Sequence, residues 1–421
     1  MIRRPALILA ILTGLNLLNY MDRTILAAVL ARIQDKSQLD LDELQGGTLA
    51  TAFLIGYFAT SPIFGALADR ATKSEGIFGG RKVLMAFGVL VWSAATWATG
   101  HAHSFVTILL ARAVVGVGEA SYAAVAPTII DDLAPPERKG RWLSVFYLAI
   151  PIGSAVGYLL GGFIEKRFGW RMAFWFAGGP GVVLALACLL IAEPARTPRK
   201  KEPLFAMLRP LAGQRLYRRA VAGYCLSTFA LGGFAHWAPK FIFAEYGMPL
   251  DKANYVFGLV LIVAGALTTS LGGWLGDRAG KRLAASGEFP PDEALPRGHL
   301  RVCAIASFLG APFAAAAFLS PTPVLFFVFM FLAIASVFLG NSPINAALLS
   351  SVPAHLRASA MAISIFAIHI LGDMWSPPMV GALMKGLGSR PLAMQLLPVA
   401  ILGSAFFWWV RRGKRAHSSF P

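Results

Sequence analysis

Charge is scarce in this chain. Only 14% of its 421 residues are Asp, Glu, Lys or Arg, against about 25% in a typical water-soluble domain, while 57% are hydrophobic. A soluble core of this length cannot hide that much apolar surface, so the surplus is expected to face lipid. Cysteine is scarcer still. Cys188, Cys225 and Cys303 each lie in an apolar run, and none has metal-ligand spacing or belongs to an extracellular disulfide pattern. They read as structural thiols. The sequence also lacks a Gly-x-x-x-x-Gly-Lys nucleotide loop and any two histidines at ligand spacing within one span. Those absences argue against an ATP-driven pump, a metal site and a membrane enzyme. No cofactor is expected, and energy for any transport must come from a gradient.

Glycine (42) and proline (26) are plentiful, as membrane helices tolerate. A formal charge of +17 would suggest nucleic acid if it were gathered on one soluble face. Here it is spread over short connections, so no nucleic-acid partner is expected. Windows of about 20 apolar residues, the length that crosses a bilayer, predict spans near 5–31, 45–68, 82–101, 104–131, 141–165 and 172–192, then near 219–243, 252–276, 300–320, 322–352, 356–386 and 391–411. Arg3 and Arg4 lead straight into the first of these without a small-residue cleavage site, so it reads as a span rather than a signal peptide. Only helices are plausible, because lipid offers the backbone no hydrogen-bond partner. One set of connections, with both termini, carries 27 Lys and Arg residues, and the opposite set carries nine. Positive-inside reasoning puts both termini in the cytoplasm. The expected fold is all-α, with twelve spans in two six-helix halves, 1–192 and 219–421, joined by a basic cytoplasmic linker, 193–218. Short loops and the lack of an Asn-x-Ser/Thr sequon lean toward a bacterial inner membrane.

The halves echo each other. Gly65-Ala-Leu-Ala-Asp69-Arg70 closes the second span and Gly273-Trp-Leu-Gly-Asp277-Arg278 the eighth; Pro136-Glu-Arg138-Lys-Gly-Arg141 follows the fourth and Pro353-Ala-His-Leu-Arg357 the tenth. Internal repeats of this kind mark secondary transporters, whose substrate site lies between the repeats near the midplane. At these residues the chain resembles the major facilitator superfamily: the Gly-x-Leu-x-Asp-Arg loop pattern, continued after an insertion by Gly80-Arg81-Lys82, the fourth-span run from Arg112 through Gly116, Gly118 and Pro127 to Asp131, and the glycine-rich fifth span with Gly153, Gly157 and Gly161. A narrower resemblance is to the Spinster family of lipid transporters. It rests on Asn19-Tyr-Met-Asp-Arg-Thr24, Gly116-Val-Gly-Glu-Ala-Ser-Tyr122 and His369-Ile-Leu-Gly-Asp373-Met-Trp-Ser-Pro377. The resemblance implies export or release of lysolipids or sphingoid phosphates, sometimes proton-coupled, by a monomer. An organic-anion or drug exporter of the same superfamily is the competing reading.

Ionisable residues at membrane depth cost roughly 2.5–3.5 kcal/mol each on insertion scales and are functional candidates by default. Asp22 and Arg23 lie ~25 Å along the first span, and Glu119 lies ~22 Å along the antiparallel fourth, at similar depth. Arg112 and Glu119 share one face two turns apart. If Arg23 pairs with one carboxylate at a time, the other is left to take a proton, and a proton or an anionic headgroup could switch Arg23 between them. A fixed neutral cluster that only joins the two helices is the plainer alternative. Arg112 is read first as conformational. His369 and Asp373, at i and i+4, form either a packed pair or a second proton site. Tyr122, His236, Trp237 and Phe338 are possible cavity residues, and with Phe234, Phe241 and Phe331 they suggest an aromatic second half suited to an apolar tail. By resemblance, Asp69, Arg70, Asp277 and Arg278 are gating latches, with Asp131, Arg138 and Arg141 as their partners.

Overall fold

The computed structural model describes residues 2–71, 80–135, 138–193, 204–353 and 356–409. They are helical apart from short connections, and one isolated bridge ties Ile2 to Ile191. The helices are α1 (Pro5–Ile33), α2 (Glu43–Arg70), α3 (Arg81–Thr99), α4 (Phe105–Leu133), α5 (Lys139–Phe168), α6 (Trp170–Leu189), α7 (Leu204–Gly213), α8 (Arg215–Tyr246), α9 (Leu250–Ala285), α10 (Pro291–Phe318), α11 (Pro323–Ser350), α12 (Arg357–Ile368), α13 (Ser376–Leu387), α14 (Arg390–Met394) and α15 (Leu396–Trp408), with a π turn at His369–Asp373. Among the described residues, eleven spans are long and apolar enough to cross a membrane. The expected seventh, α8, has the length but is diluted by His236 and Lys240 and by three arginines near its start.

Local chemistry sets many of the ends. Asp42 and Ser104 cap α2 and α4 in reciprocal boxes with Gln45 and Thr107. Proline opens α1, α11 and α14, where its missing amide hydrogen costs nothing. Gly169, at φ 84°, closes α5 and starts α6 in one step, a left-handed conformation that glycine tolerates. Three features differ from the expected spans. Helix α7 lies within the expected linker, where Leu211 packs with Tyr217 and Ala360. Helices α9 and α10 run well into the expected 277–301 connection, because Leu283, Phe289 and Ala294 form a small core of their own there. The eleventh span is broken by the π turn.

By packing, the chain divides into two compact units. The first holds Met1–Arg199 with Ala235–Leu259 and Pro377–Lys385; the second holds Lys200–Phe234, Val260–Ser376 and Gly386–Pro421. In the first, Leu12, Leu15, Val89, Trp92, Val115 and Val125 form the core between α1, α3 and α4. Gly153, Gly157 and Gly161 of α5 pack against α1 at Leu17, Met21 and Ala28, the close approach that small residues permit. Helices α2 and α4 cross where Gly116 meets the Phe53 carbonyl. In the second unit Leu300, Cys303, Ile344, Leu348 and Trp408 are central. Large apolar side chains such as Ile63, Val183, Val324 and Phe406 stand exposed, as lipid-facing residues do.

A Cβ at position 116 would overlap the Phe53 carbonyl. Gly116→Ala is therefore expected to destabilise the protein by about 1–3 kcal/mol, read as a lower Tm in detergent, whereas Gly179→Ala, with open space around it, should leave the Tm unchanged.

Candidate functional site

Helix α1 turns two consecutive charges in different directions. Asp22 points at α3 and α4, where Thr96 Oγ1 donates to its Oδ2 (2.7 Å) and Arg112 Nη1 stands 3.5 Å from its Oδ1. Arg23 points at α4 and α2. Its Nε donates to Glu119 Oε2 (2.8 Å), and its guanidinium lies 4.7, 4.8 and 5.3 Å from the ring centres of Tyr20, Phe53 and Tyr57. Arg112 reaches the same Phe53 ring at 5.6 Å. The four groups thus form two ion pairs with no net charge, whose guanidiniums share the Phe53 ring as a neighbour. Asp22, Arg112 and Glu119 are buried, and the Arg23 side chain keeps 20% of its surface exposed. Among the described residues Glu119 Oε1 and Arg112 Nε have no hydrogen-bond partner.

Charges this deep persist only when paired and hydrogen-bonded. The guanidinium suits the place, because it stacks on aromatic faces and is weakly hydrated. Asp22, Arg23, Arg112 and Glu119 are brought together, as their depths suggested, but the pairing differs from the sequence reading. Asp22 has Arg112 and Thr96, so Arg23 serves Glu119 alone.

The remaining candidates are spread over the molecule. Tyr122 packs edge-on against Trp92 and donates to Leu12 O (2.6 Å) inside the α1–α3–α4 core. His236 Nε2 contacts Gly46 O (3.1 Å), and Trp237 Nε1 donates to Pro377 O (3.0 Å). Phe234, packed at a tilt against Phe318, and Phe241 are buried, while Phe331 and Phe338 are half-buried. His369 Nδ1 lies 2.9–3.0 Å from both oxygens of Asp373 across the π turn. Among the latch residues, the side chains of Asp69 and Arg70 lie outside the described set. Asp131 is half-buried, and Arg138 and Arg141 are exposed. Within the first unit, Arg81 binds Asp132 (2.8 Å), Glu193 (2.6 Å) and Thr128 (3.1 Å). Asp277 meets His299 Nε2 at 3.2 Å, and Arg278 covers the Trp274 ring.

Sequence reasoning missed a polar seam within the first unit, at the end of the helices opposite the N-terminus. Lys240 of α8 binds Glu43, and Gln34 Oε1 at 2.7 Å. Lys385 of α13 binds Asp42 (2.8 Å), and Lys166 of α5 binds Asp251 of α9 (2.8 Å). Asn254 Nδ2 donates to Ala28 O and Tyr158 OH to Ala235 O. The available signal was a set of charges at span ends, but the partners are up to 343 positions apart in the chain.

Residues 12–372 match the model of the Major Facilitator Superfamily. The chain is 30% identical to the "Probable sphingolipid transporter spinster homolog 3" of Arabidopsis thaliana, over 99% of this chain and 86% of that protein. It is 33% identical to "Protein spinster homolog 1" of Homo sapiens, over 90% of this chain and 72% of that protein. Its fold is similar to the crystal structure of a bacterial homolog of the human lysosomal transporter Spinster in an inward-facing and occupied conformation, with a TM-score of 0.77 at 20% identity, covering 97% of this chain and 95% of that one.

Two tests follow from the site and the seam. Thr96→Val strips the buried Asp22 of its 2.7 Å donor and is expected to cost about 1–3 kcal/mol, with Thr96→Ser restoring most of the loss in thermal unfolding. In the seam, Lys385 and the Gln45 amide hold the Asp42 carboxyl below the usual carboxylate range. A lowered folded-state value stabilises the protein above the ordinary value of about 3.9 and loses that contribution as the pH falls through it. Asp42→Asn is therefore expected to lower the Tm slightly at pH 7, with the difference shrinking as the pH falls below the ordinary carboxylate value and vanishing below the lowered folded-state value. A pH-independent difference would sink the assignment.

Proposed function

We propose that this chain, which belongs to the Spinster family within the major facilitator superfamily, moves amphipathic lipids of the lysophospholipid or sphingoid-phosphate type by alternating access, with proton exchange at Glu119 and Asp22. The chain is a multi-pass membrane transporter and not an enzyme. The finer reading rests on one observation: within the buried neutral cluster, Arg23 is the member with partly exposed surface, and it is the counter-ion of a fully buried carboxylate.

An anionic headgroup entering beside Arg23 competes with Glu119 for the guanidinium. Charge-assisted Arg–phosphate bonds are frequently bidentate, so a phosphate is a strong competitor. Glu119 is then left buried without a partner, and an unpaired buried charge neutralises rather than persists. It takes up a proton when the headgroup binds and returns it when Arg23 comes back. Tyr20, Phe53 and Tyr57 hold the guanidinium during the exchange through its face. Asp22, held by Thr96 and Arg112, keeps α1, α3 and α4 in register and is the second group able to take a proton. The relatives named as sphingolipid transporters support the lipid class. The 27-to-nine bias of Lys and Arg supports cytoplasmic termini, and a monomer suffices because the cluster is complete within one chain.

Transport of a fluorescent lysophospholipid into proteoliposomes, with and without an imposed pH gradient, tests this reading. Glu119→Gln should abolish the response to the gradient, and Asp22→Asn should reduce it. Arg23→Lys should lose transport by about tenfold or more, because a point-charge ammonium does not replace a stacked bidentate group. Wild-type rates and gradient response in Glu119→Gln, or transport of small hydrophilic anions with no lipid transport, would refute it.

A further inference from the structure

The eleventh span is interrupted, and its hydrogen bonds show how. The amide of Met374 reaches back to the His369 carbonyl, an i to i+5 bond of 3.1 Å, while the amide of Trp375 turns to Gly372 O. The Ile370 carbonyl, passed over by this ladder, accepts the Trp375 indole N–H at 2.7 Å. Pro377 and Pro378 come next, and neither has an amide hydrogen to give. The Asp373 carbonyl is left with the Ser376 hydroxyl at 3.4 Å. Between Ile370 and Pro378 the regular i to i+4 ladder is thus replaced by a shifted bond and two side-chain donors. His369 and Asp373 clip the turn from the side at 2.9–3.0 Å.

The turn sits directly on α8. Gly372 lies against Cys225 O and Thr228, and Gly232 lies against Cα and Cβ of Asp373. Thr228 Oγ1 donates to Ile368 O at 3.0 Å. The two sides of the turn also have different company. His369–Ser376 clusters with the second compact unit, and Pro377–Lys385 with the first. In the first, Pro377 O accepts the Trp237 indole N–H and Lys385 binds Asp42.

A π turn is a helix carrying one residue more than its ladder can hold. Absorbing that residue into a regular ladder rotates the segment behind it by about 100° and shifts it by about 1.5 Å. A movement of that size takes Pro377 O out of reach of Trp237 and Lys385 out of reach of Asp42. We propose that the His369–Asp373 turn is a slip hinge: the turn in its π form keeps α13 seated in the polar seam, and its slip to α form releases α13. The proposal rests on the alternating-access reading given above. It assigns His369 and Asp373 a mechanical role as the clip on the π form, distinct from substrate or proton binding. Thr228 and Trp375 carry the carbonyl acceptors around the turn, and Ser376 the one ahead of the prolines.

Deleting Leu371 tests it. That side chain is 65% exposed, so its loss removes no core packing, and the deletion takes out the extra residue while leaving α12 and α13 in their present places. Amide hydrogen exchange of the purified protein in nanodiscs is followed over residues 366–387. Wild type is expected to exchange there through slip and release, and the deletion variant should be slower by about tenfold or more. Pro377→Ala keeps the length and returns an amide donor to the Asp373 carbonyl; it should slow the same amides in the same direction and is the deciding variant if the deletion does not fold. Wild-type exchange in a folded deletion variant, or in Pro377→Ala, overturns the hinge. Because the readout uses no lipid substrate, failure of lipid transport in wild type would overturn the proposed function and leave the hinge result standing.

Discussion

Four charges placed where water is excluded must cancel one another within a few ångströms, and the first unit is arranged to meet that demand. Asp22 and Arg23 are adjacent on α1, so their side chains leave the helix about 100° apart and cannot share one partner. The cancellation therefore needs two partners on another helix, and Arg112 and Glu119 of α4 supply them two turns apart. For α4 to come that close, its glycines must meet α2 and α3 backbone. Gly116 lies on the Phe53 carbonyl and Gly118 on Gly88 and Trp92. The Phe53 whose carbonyl sets that crossing also offers its ring to both guanidiniums, at 4.8 and 5.6 Å from its centre. Packing and electrostatics are one constraint here: a bulkier residue at 116 would move the shared ring as well as the helix.

The basic residues divide by what surrounds them. Of the 38 Lys and Arg residues, 27 fall in connections expected on the terminal side and nine in the opposite set; the remaining two are Arg23 and Arg112, both inside the cluster. Several of the nine are engaged in the first unit. Lys240, Lys385 and Lys166 each hold a carboxylate of another helix, Arg32 holds Glu165, and Arg171 donates to Gln38 and to the Ala102 carbonyl. Orientation rules count these cations as exceptions to the bias. Their contacts give them a different reason to be there, the closing of one end of the unit.

Spans were legible because twenty apolar residues in a row have few alternatives, and the burial of Asp22, Arg23, Arg112 and Glu119 was legible because ionisable residues are rare at that depth. Who pairs with whom was not. Depth along two helices fixes neither rotation nor the position of a third, so Thr96 of α3, a hydroxyl with no distinguishing pattern, went unnoticed. The facing of the aromatic candidates was not legible for a related reason. Phe234, Trp237 and Phe241 follow helical spacing whether they face a cavity or a neighbour, and in the structure they are buried in packing. The π turn was hidden in a run that satisfies the i, i+4 rule for His369 and Asp373 equally well in either register. Two prolines after Ser376 were its visible sign, and they mark the start of α13.

The polar contacts also differ in how readily they part. Lys385 and Asp42 are 60% and 38% exposed in their pair, and exposed pairs are worth about 0–1 kcal/mol, so water replaces either partner at little cost. The Arg23–Glu119 pair has a carboxylate with no exposed surface. Breaking it without a replacement strands a buried charge, which costs about 3–5 kcal/mol. The Lys385–Asp42 contact alone therefore does not hold that end of the first unit; the more enclosed Lys240–Glu43 pair, 10% and 20% exposed, is the firmer part of the seam. On the function proposed above, control of the cycle belongs to the buried pair, which stays closed until something supplies both halves of the exchange: an anion for the arginine and a proton for the glutamate. A chain built this way holds its exposed contacts loosely and its buried ones conditionally, and in the cycle proposed above the condition is the arrival of a headgroup with the charge to meet it.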